Sequence, residues 1–129
     1  MSRFPNLEFG PMPVQWPIIG TDYDVELKGR LKVWWDGPYL GGHIIIPIRY
    51  IHNGPSTPKR LRGVIVRTNA LIRPAIAHDF IYETKPVGWT REAADMLLLE
   101  GLKVEGVSWR KRNTMWMGVR AGGWVMWND

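Results

Sequence analysis

Residues 77–82, Ala77-His78-Asp79-Phe80-Ile81-Tyr82, are followed, after a break at Lys85-Pro86-Val87-Gly88, by Arg91-Glu92-Ala93-Ala94-Asp95, and this stretch decides how the chain is read. His78 and Tyr82 are four residues apart, so on a helix they share a face, while Asp79 lies one position round from His78. Asp95 stands among Ala93, Ala94, Leu97 and Leu98, at the edge of an apolar stripe where a carboxylate needs a partner. Two helices joined by so short a break pack antiparallel, which brings Asp95 to the imidazole of His78 or the hydroxyl of Tyr82. The spacing therefore predicts paired helices that gather His78, Asp79, Tyr82 and Asp95 into one polar cluster.

Working outward, Thr68 or Asn69 can cap the first of these helices. Ala70, Leu71, Ile72, Ala75, Ile76 and Ala77 then carry it to about Tyr82, with Pro74 near its first turn. Thr90 is placed to cap the second helix, Glu92 suits its first turn, Leu97, Leu98 and Leu102 extend its stripe, and Gly106 ends it. Ser108 can cap a last helix through Arg120, with Met115, Trp116 and Val119 inward and Gly122-Gly123 closing it.

Upstream the period changes to two. Val25, Leu27, Leu31, Val33 and Trp35 alternate with polar residues, and Asp36-Gly37-Pro38 supplies a turn. A second β segment runs from Gly42 to Tyr50, where Pro47 marks an edge strand or a bulge. His52-Asn53-Gly54-Pro55-Ser56-Thr57-Pro58 is a concentrated turn signal, with a short helix expected from about Pro58. Strands first and helices afterwards give the α+β class: N-terminal antiparallel β segments followed by a C-terminal bundle of three or four helices. Pro5, Pro11, Pro13 and Pro17 argue for an extended arm over residues 1–22, able to pack on a neighbour, ahead of a single α+β domain over 23–129.

Composition bounds the function. With 129 residues, 45% hydrophobic and 22% charged, the chain suits one globular domain. The absence of cysteine excludes a disulfide framework and a thiolate metal site, so a reducing cytoplasm suits it. The N-terminus lacks a signal-peptide pattern and no stretch reaches the ~20 apolar residues of a membrane span, so a soluble protein is expected. The net charge of +5 and the runs Lys59-Arg60-Leu61-Arg62 and Arg110-Lys111-Arg112 favour anionic partners or simply a solvated surface. Nucleic acid ranks last, because basic and aromatic residues are not interleaved on a recognisable fold. Eight tryptophans fit a core, an interface or a membrane-surface belt equally well.

The polar cluster has two readings. A carboxylate that holds a histidine in one tautomer makes it a general base near neutral pH, so His78, Asp95 and Tyr82 are candidate catalytic residues. Asp79 could then hold a hard cation such as calcium, with the Asn53-Gly54 loop supplying further oxygens; Asp79, Asn53 and Gly54 are the candidate metal ligands. Alternatively, His78, Tyr82 and Asp95 satisfy one another as a buried network that fastens two helices. An Asp79 carboxylate facing the Asn53-Gly54 loop would support the metal site, whereas one that braces a helix would not.

These same segments resemble the phage-associated domain-of-unknown-function family 1353. That family carries a Thr-Asp-Gly-Ala-Ser-Ile-Pro type segment after a strand, and the loop here matches it at Gly54, Ser56 and Pro58. Gly106-Val107, Met115, Val119 and Gly123-Trp124 also fit, so the resemblance covers about residues 42 to 124. Asn53 stands where the family usually has Asp, and His52 where it has Thr, which takes a carboxylate out of the loop. The His-Asp-x-x-Tyr segment with its later Ala-Asp is also similar to secreted bacterial and viral phospholipases A2. That similarity implies His78 as the base, Asp79 as a calcium ligand, Asp95 as the orienting acid and Tyr82 as a donor to it. The glycine-rich calcium loop of those enzymes is not recognisable here, and their helix-pinning cysteines are absent.

Two functions follow. The family resemblance implies a bacteriophage protein, and the proline-rich arm and Trp-rich tail suit a non-enzymatic one, a small virion component or host-interaction factor in the host bacterial cytoplasm or the virion. Its partners would be other phage proteins or a host protein, and Trp124-Val125-Met126-Trp127 suits such docking. The phospholipase similarity implies a calcium-dependent hydrolase of the esterase or lipase kind acting on the bacterial envelope, for which a basic, Trp-rich surface would suit anionic lipid. The missing calcium loop and Asn53 weigh toward the first.

Overall fold

In the computed structural model, residues 3–13, 15–17, 25–52 and 69–127 are described. Period-two alternation puts every second side chain on one side of a strand, and Leu27, Leu31, Val33 and Trp35 are all buried. The strands are β1 (Glu8–Phe9), β2 (Gln15–Pro17), β3 (Val25–Leu27), β4 (Leu31–Trp34), β5 (His43–Ile46) and β6 (Ile51–His52). They form two antiparallel three-stranded sheets, ordered β1-β4-β5 and β2-β3-β6. In the first, Val33 faces Phe9 on one side and Ile44 on the other. Asp36-Gly37-Pro38 turns as its residues dictate and leads into a 3-10 turn at Tyr39–Gly42. Gly41 and Gly42 adopt positive φ there, and the Trp35 N–H donates to the Gly42 carbonyl at 3.0 Å. β5 is the sheet edge and stops immediately before Pro47, which has no N–H to continue a ladder.

Among the described residues four helices follow: α1 (Asn69–Thr84), α2 (Arg91–Val104), α3 (Trp109–Gly122) and the single turn α4 (Trp124–Trp127). The strands-then-helices order is the α+β layout that the periodicity predicts. Thr90 caps α2 by accepting from the Ala93 N–H at 3.1 Å, and Ser108 caps α3 by accepting from the Lys111 N–H at 3.4 Å. Pro74 lies at the sixth residue of α1, in its second turn. It is fully buried at the crossing with α2, where a Cβ on Gly101 would stand 3.1 Å from the Pro74 Cβ and 2.8 Å from the Phe9 ring. Burial there offsets the lost helix hydrogen bond. α1 packs on α2, α2 on α3, and both α1 and α3 on α4, while α1 also meets β5. Among the described residues, no helix is long and apolar enough to cross a membrane.

The N-terminal segment bends at residues 3–6, where Asn6 takes a positive φ, leads into β1, and packs on its own chain. Phe4 and Leu7 are buried in the main core. The Phe4 ring meets Trp35 edge-on at 4.9 Å and stacks on Tyr39 and Trp89 at 5.4 and 6.0 Å. Arg73 of α1 ties the segment down, donating to the Gly10 carbonyl at 2.9 Å while its other edge pairs with Glu105 at 2.5 Å. Apolar residues between prolines fill a core without needing a regular period. The turn at residues 53–58, the short helix from Pro58 and the first basic run lie outside the described residues.

Candidate functional site

α1 and α2 run side by side at the height of Asp95, and the predicted cluster forms there. His78 donates through Nε2 to Asp95 Oδ1 at 2.8 Å, and the Tyr82 hydroxyl donates to the same oxygen at 2.5 Å. The rings of His78 and Tyr82, one helical turn apart, lie 4.2 Å between centroids. The opposite oxygen, Oδ2, receives Arg120 Nη1 at 2.8 Å and faces Arg91 Nη1 at 3.6 Å. Arg91 also donates to the carbonyls of Val119 and Arg120 at the end of α3. A single carboxylate thus joins three helices. Asp95 is 0% exposed, and His78, Asp79 and Tyr82 are buried with it.

Asp79 completes the cluster from the other side, with Oδ1 4.0 Å from His78 Nδ1. Burial alone would lower the His78 pKa, but Asp79 and Asp95 together outweigh it and raise it above 6.5. Burial alone would raise the Asp95 pKa, but the bonds from His78, Tyr82 and Arg120 pull it below 3.8. Burial and the neighbouring Asp95 push the Tyr82 hydroxyl far up, so it stays a donor. Tyr50, just ahead of the loop, is pushed up likewise, first by burial and then by the charges of Asp79 and Glu83.

These directions fix a pH dependence through linkage. The raised His78 contributes stability that is fully present below about pH 6.5 and is lost as pH rises through its folded value. The lowered Asp95 contributes stability that is present above about pH 3.9 and is lost as pH falls through its folded value. The unfolding midpoint should therefore fall on the alkaline side from neutrality upward, well before tyrosine ionises. Replacing His78 with Gln should flatten that limb while leaving the acid limb. A wild-type midpoint independent of pH between 6.5 and 9 would contradict the assignment.

The remaining candidates divide. Among the described residues there is no group of three or more His, Asp or Glu side chains able to hold a metal ion. Of the three candidate metal ligands, Asp79 is placed beside His78, and Asn53 and Gly54 lie outside the described residues. Among the described residues, surface grooves lie elsewhere, including one of about 510 Å³ between α2 and the start of α3 and one of about 450 Å³ over Lys32, Trp34, His43 and Ile45.

The family model described as protein of unknown function, DUF1353, matches residues 38–119, more than half of the chain. The chain belongs to the DUF1353 family. No curated protein and no solved structure matches it. The matched region runs from the turn after β4 to Val119 and so contains α1, α2 and all the partners of Asp95 except Arg120. β1, β2, β3 and β4, together with Phe4 and Trp35, precede it, whereas Tyr39 and Trp89, on which the Phe4 ring stacks, lie inside it. In this DUF1353 member the sequence reading missed Arg91 and Arg120. Arg91 was legible, because it stands four residues before Asp95 on the same helix. Arg120 gave no local signal, since only the packing of α3 on α2 brings it within reach.

Proposed function

We propose that this protein is a non-catalytic bacteriophage component, a small virion or host-interaction protein that works in the virion or the host cytoplasm by binding other phage proteins or a host protein. In this reading His78, Tyr82 and Asp95 fasten the helices. The observation that carries it is the fully buried Asp95 of α2, whose two oxygens hold side chains from α1 and α3. His78 supports it too. Its Nε2–H is committed to Asp95, and two carboxylates favour the imidazolium, which has no lone pair with which to take a proton from water. The phage origin rests on the family resemblance.

A fastener predicts that His78→Ala lowers the thermal midpoint by roughly 10 °C. It also predicts that neither wild type nor variant hydrolyses phospholipid with calcium present, and that mass spectrometry of purified particles or a host pull-down recovers the protein with partners. Phospholipid hydrolysis abolished by His78→Asn at an unchanged midpoint would overturn this reading.

The calcium-dependent hydrolase is the alternative reading, and it rests on the sequence similarity of His78, Asp79 and Asp95 alone. Calorimetric titration separates the two: millimolar calcium should bind wild type and not Asp79→Asn if the hydrolase reading holds.

A further inference from the structure

The C-terminal turn exposes apolar side chains that the core had room to refuse. Trp127 is turned inward, its ring edge-on to Tyr82 at 5.2 Å with Lys85 Nζ 5.7 Å from its centre. Gly123 lets the turn approach closely, since a Cβ there would stand 2.5 Å from the Tyr82 hydroxyl. With Trp127 anchored and Gly123 pressed down, the three residues between point the other way: Trp124, Val125 and Met126 are 55%, 48% and 52% exposed.

The tip continues onto α3. Trp109, Asn113, Met117 and Ala121 recur at four-residue steps and so share one face. On that face Trp109, Met117 and Ala121 are exposed. The charge around it is mostly positive, with Glu100 lining the groove beside Trp109 and Asn113. Residues 106–127 contain Arg110, Lys111, Arg112 and Arg120 and no Asp or Glu. Arg120 is spent on Asp95 and Arg112 donates to the Val107 carbonyl, whereas Arg110 and Lys111 are exposed at the start of α3. Exposed tryptophan and methionine at both ends of α3, with exposed cations at its start, match a bilayer interface. Indole settles at headgroup level, short apolar side chains enter the acyl boundary, and arginine and lysine meet lipid phosphate.

We propose that the outer face of α3 together with the α4 tip docks on an anionic lipid bilayer, with Trp124, Val125 and Met126 inserted and Arg110 and Lys111 on the headgroups. The proposal goes beyond the reading of His78 and does not depend on it, because a fastened scaffold and a hydrolase would dock by the same face.

The test is flotation of the full chain with vesicles of phosphatidylcholine alone or mixed with phosphatidylglycerol. The protein should float with the mixed vesicles, and less so as salt rises. The double variant W124A/M126A should lose binding by on the order of tenfold or more while keeping its thermal midpoint. R110Q/K111Q should lose on the order of tenfold through charge alone. Failure of wild type to float, or equal flotation of W124A/M126A, would overturn the proposal. Concentration-dependent dimers of wild type that W124A/M126A abolishes, without flotation, would also overturn it and assign the face to a second copy. Retention on an acidic host protein without flotation would reject the bilayer in favour of a protein partner.

Discussion

Asp95→Ala is expected to cost about 3–5 kcal/mol of folding free energy, the range for removing one member of a buried ion pair. That is a large share of the ~5–15 kcal/mol that holds a typical domain together. The loss is not of one bond. Tyr82, His78 and Arg120 each donate to this carboxylate, and its side chain has no contact with solvent through which water could take its place. Without it, the imidazole keeps a proton preference set by Asp79 alone, and the ends of α1, α2 and α3 lose the point at which they meet. Asp95→Asn should be less damaging. One amide oxygen can still accept from His78 and Tyr82, but the amide N–H then faces the guanidinium donors of Arg120 and Arg91. Urea denaturation followed by circular dichroism measures both, and the m-value should stay constant. A loss below about 1 kcal/mol for the alanine variant would mean that the network is dispensable.

The contrast between Asp95 and its partners shows what could be seen in advance. His78, Tyr82 and Asp95 were legible because helical spacing fixes which side chains share a face, and a short break fixes which helices are neighbours. The caps Thr90 and Ser108 were legible for the same reason: each acts on an N–H three residues away. Arg120 acts across 25 residues from a third helix, and nothing in its own neighbourhood marks it. The strand pattern was legible at Leu27, Leu31, Val33 and Trp35, where alternation is long enough to register. The pairing of β1 with β4 was not, because two residues carry no period and the partner lies far along the chain. The turn Trp124–Trp127 reads as a docking tail by composition. Its helical form depends on Gly123 fitting against Tyr82, which is a tertiary fact.

Phe4 is the clearest case of a residue that composition undervalues, and it carries the second large prediction. A lone aromatic ahead of Pro5 has no periodic company, yet its ring sits among Trp35, Tyr39 and Trp89 and is 1% exposed. Phe4→Ala should cost about 3–5 kcal/mol, from lost transfer energy and the cavity left between three rings that cannot collapse together. Phe4→Leu, which refills most of the volume, should recover a good part of it. The neighbouring Arg3→Ala is the control. Its pairing with Glu92 lies in solvent, so its removal should leave the unfolding midpoint where it was. If Phe4→Ala and Arg3→Ala were equally silent, the first residues would be a separable arm after all. A large loss confined to Phe4 makes them part of the domain, with the Phe4 ring closing the sheet end against the α1–α2 connection at Trp89.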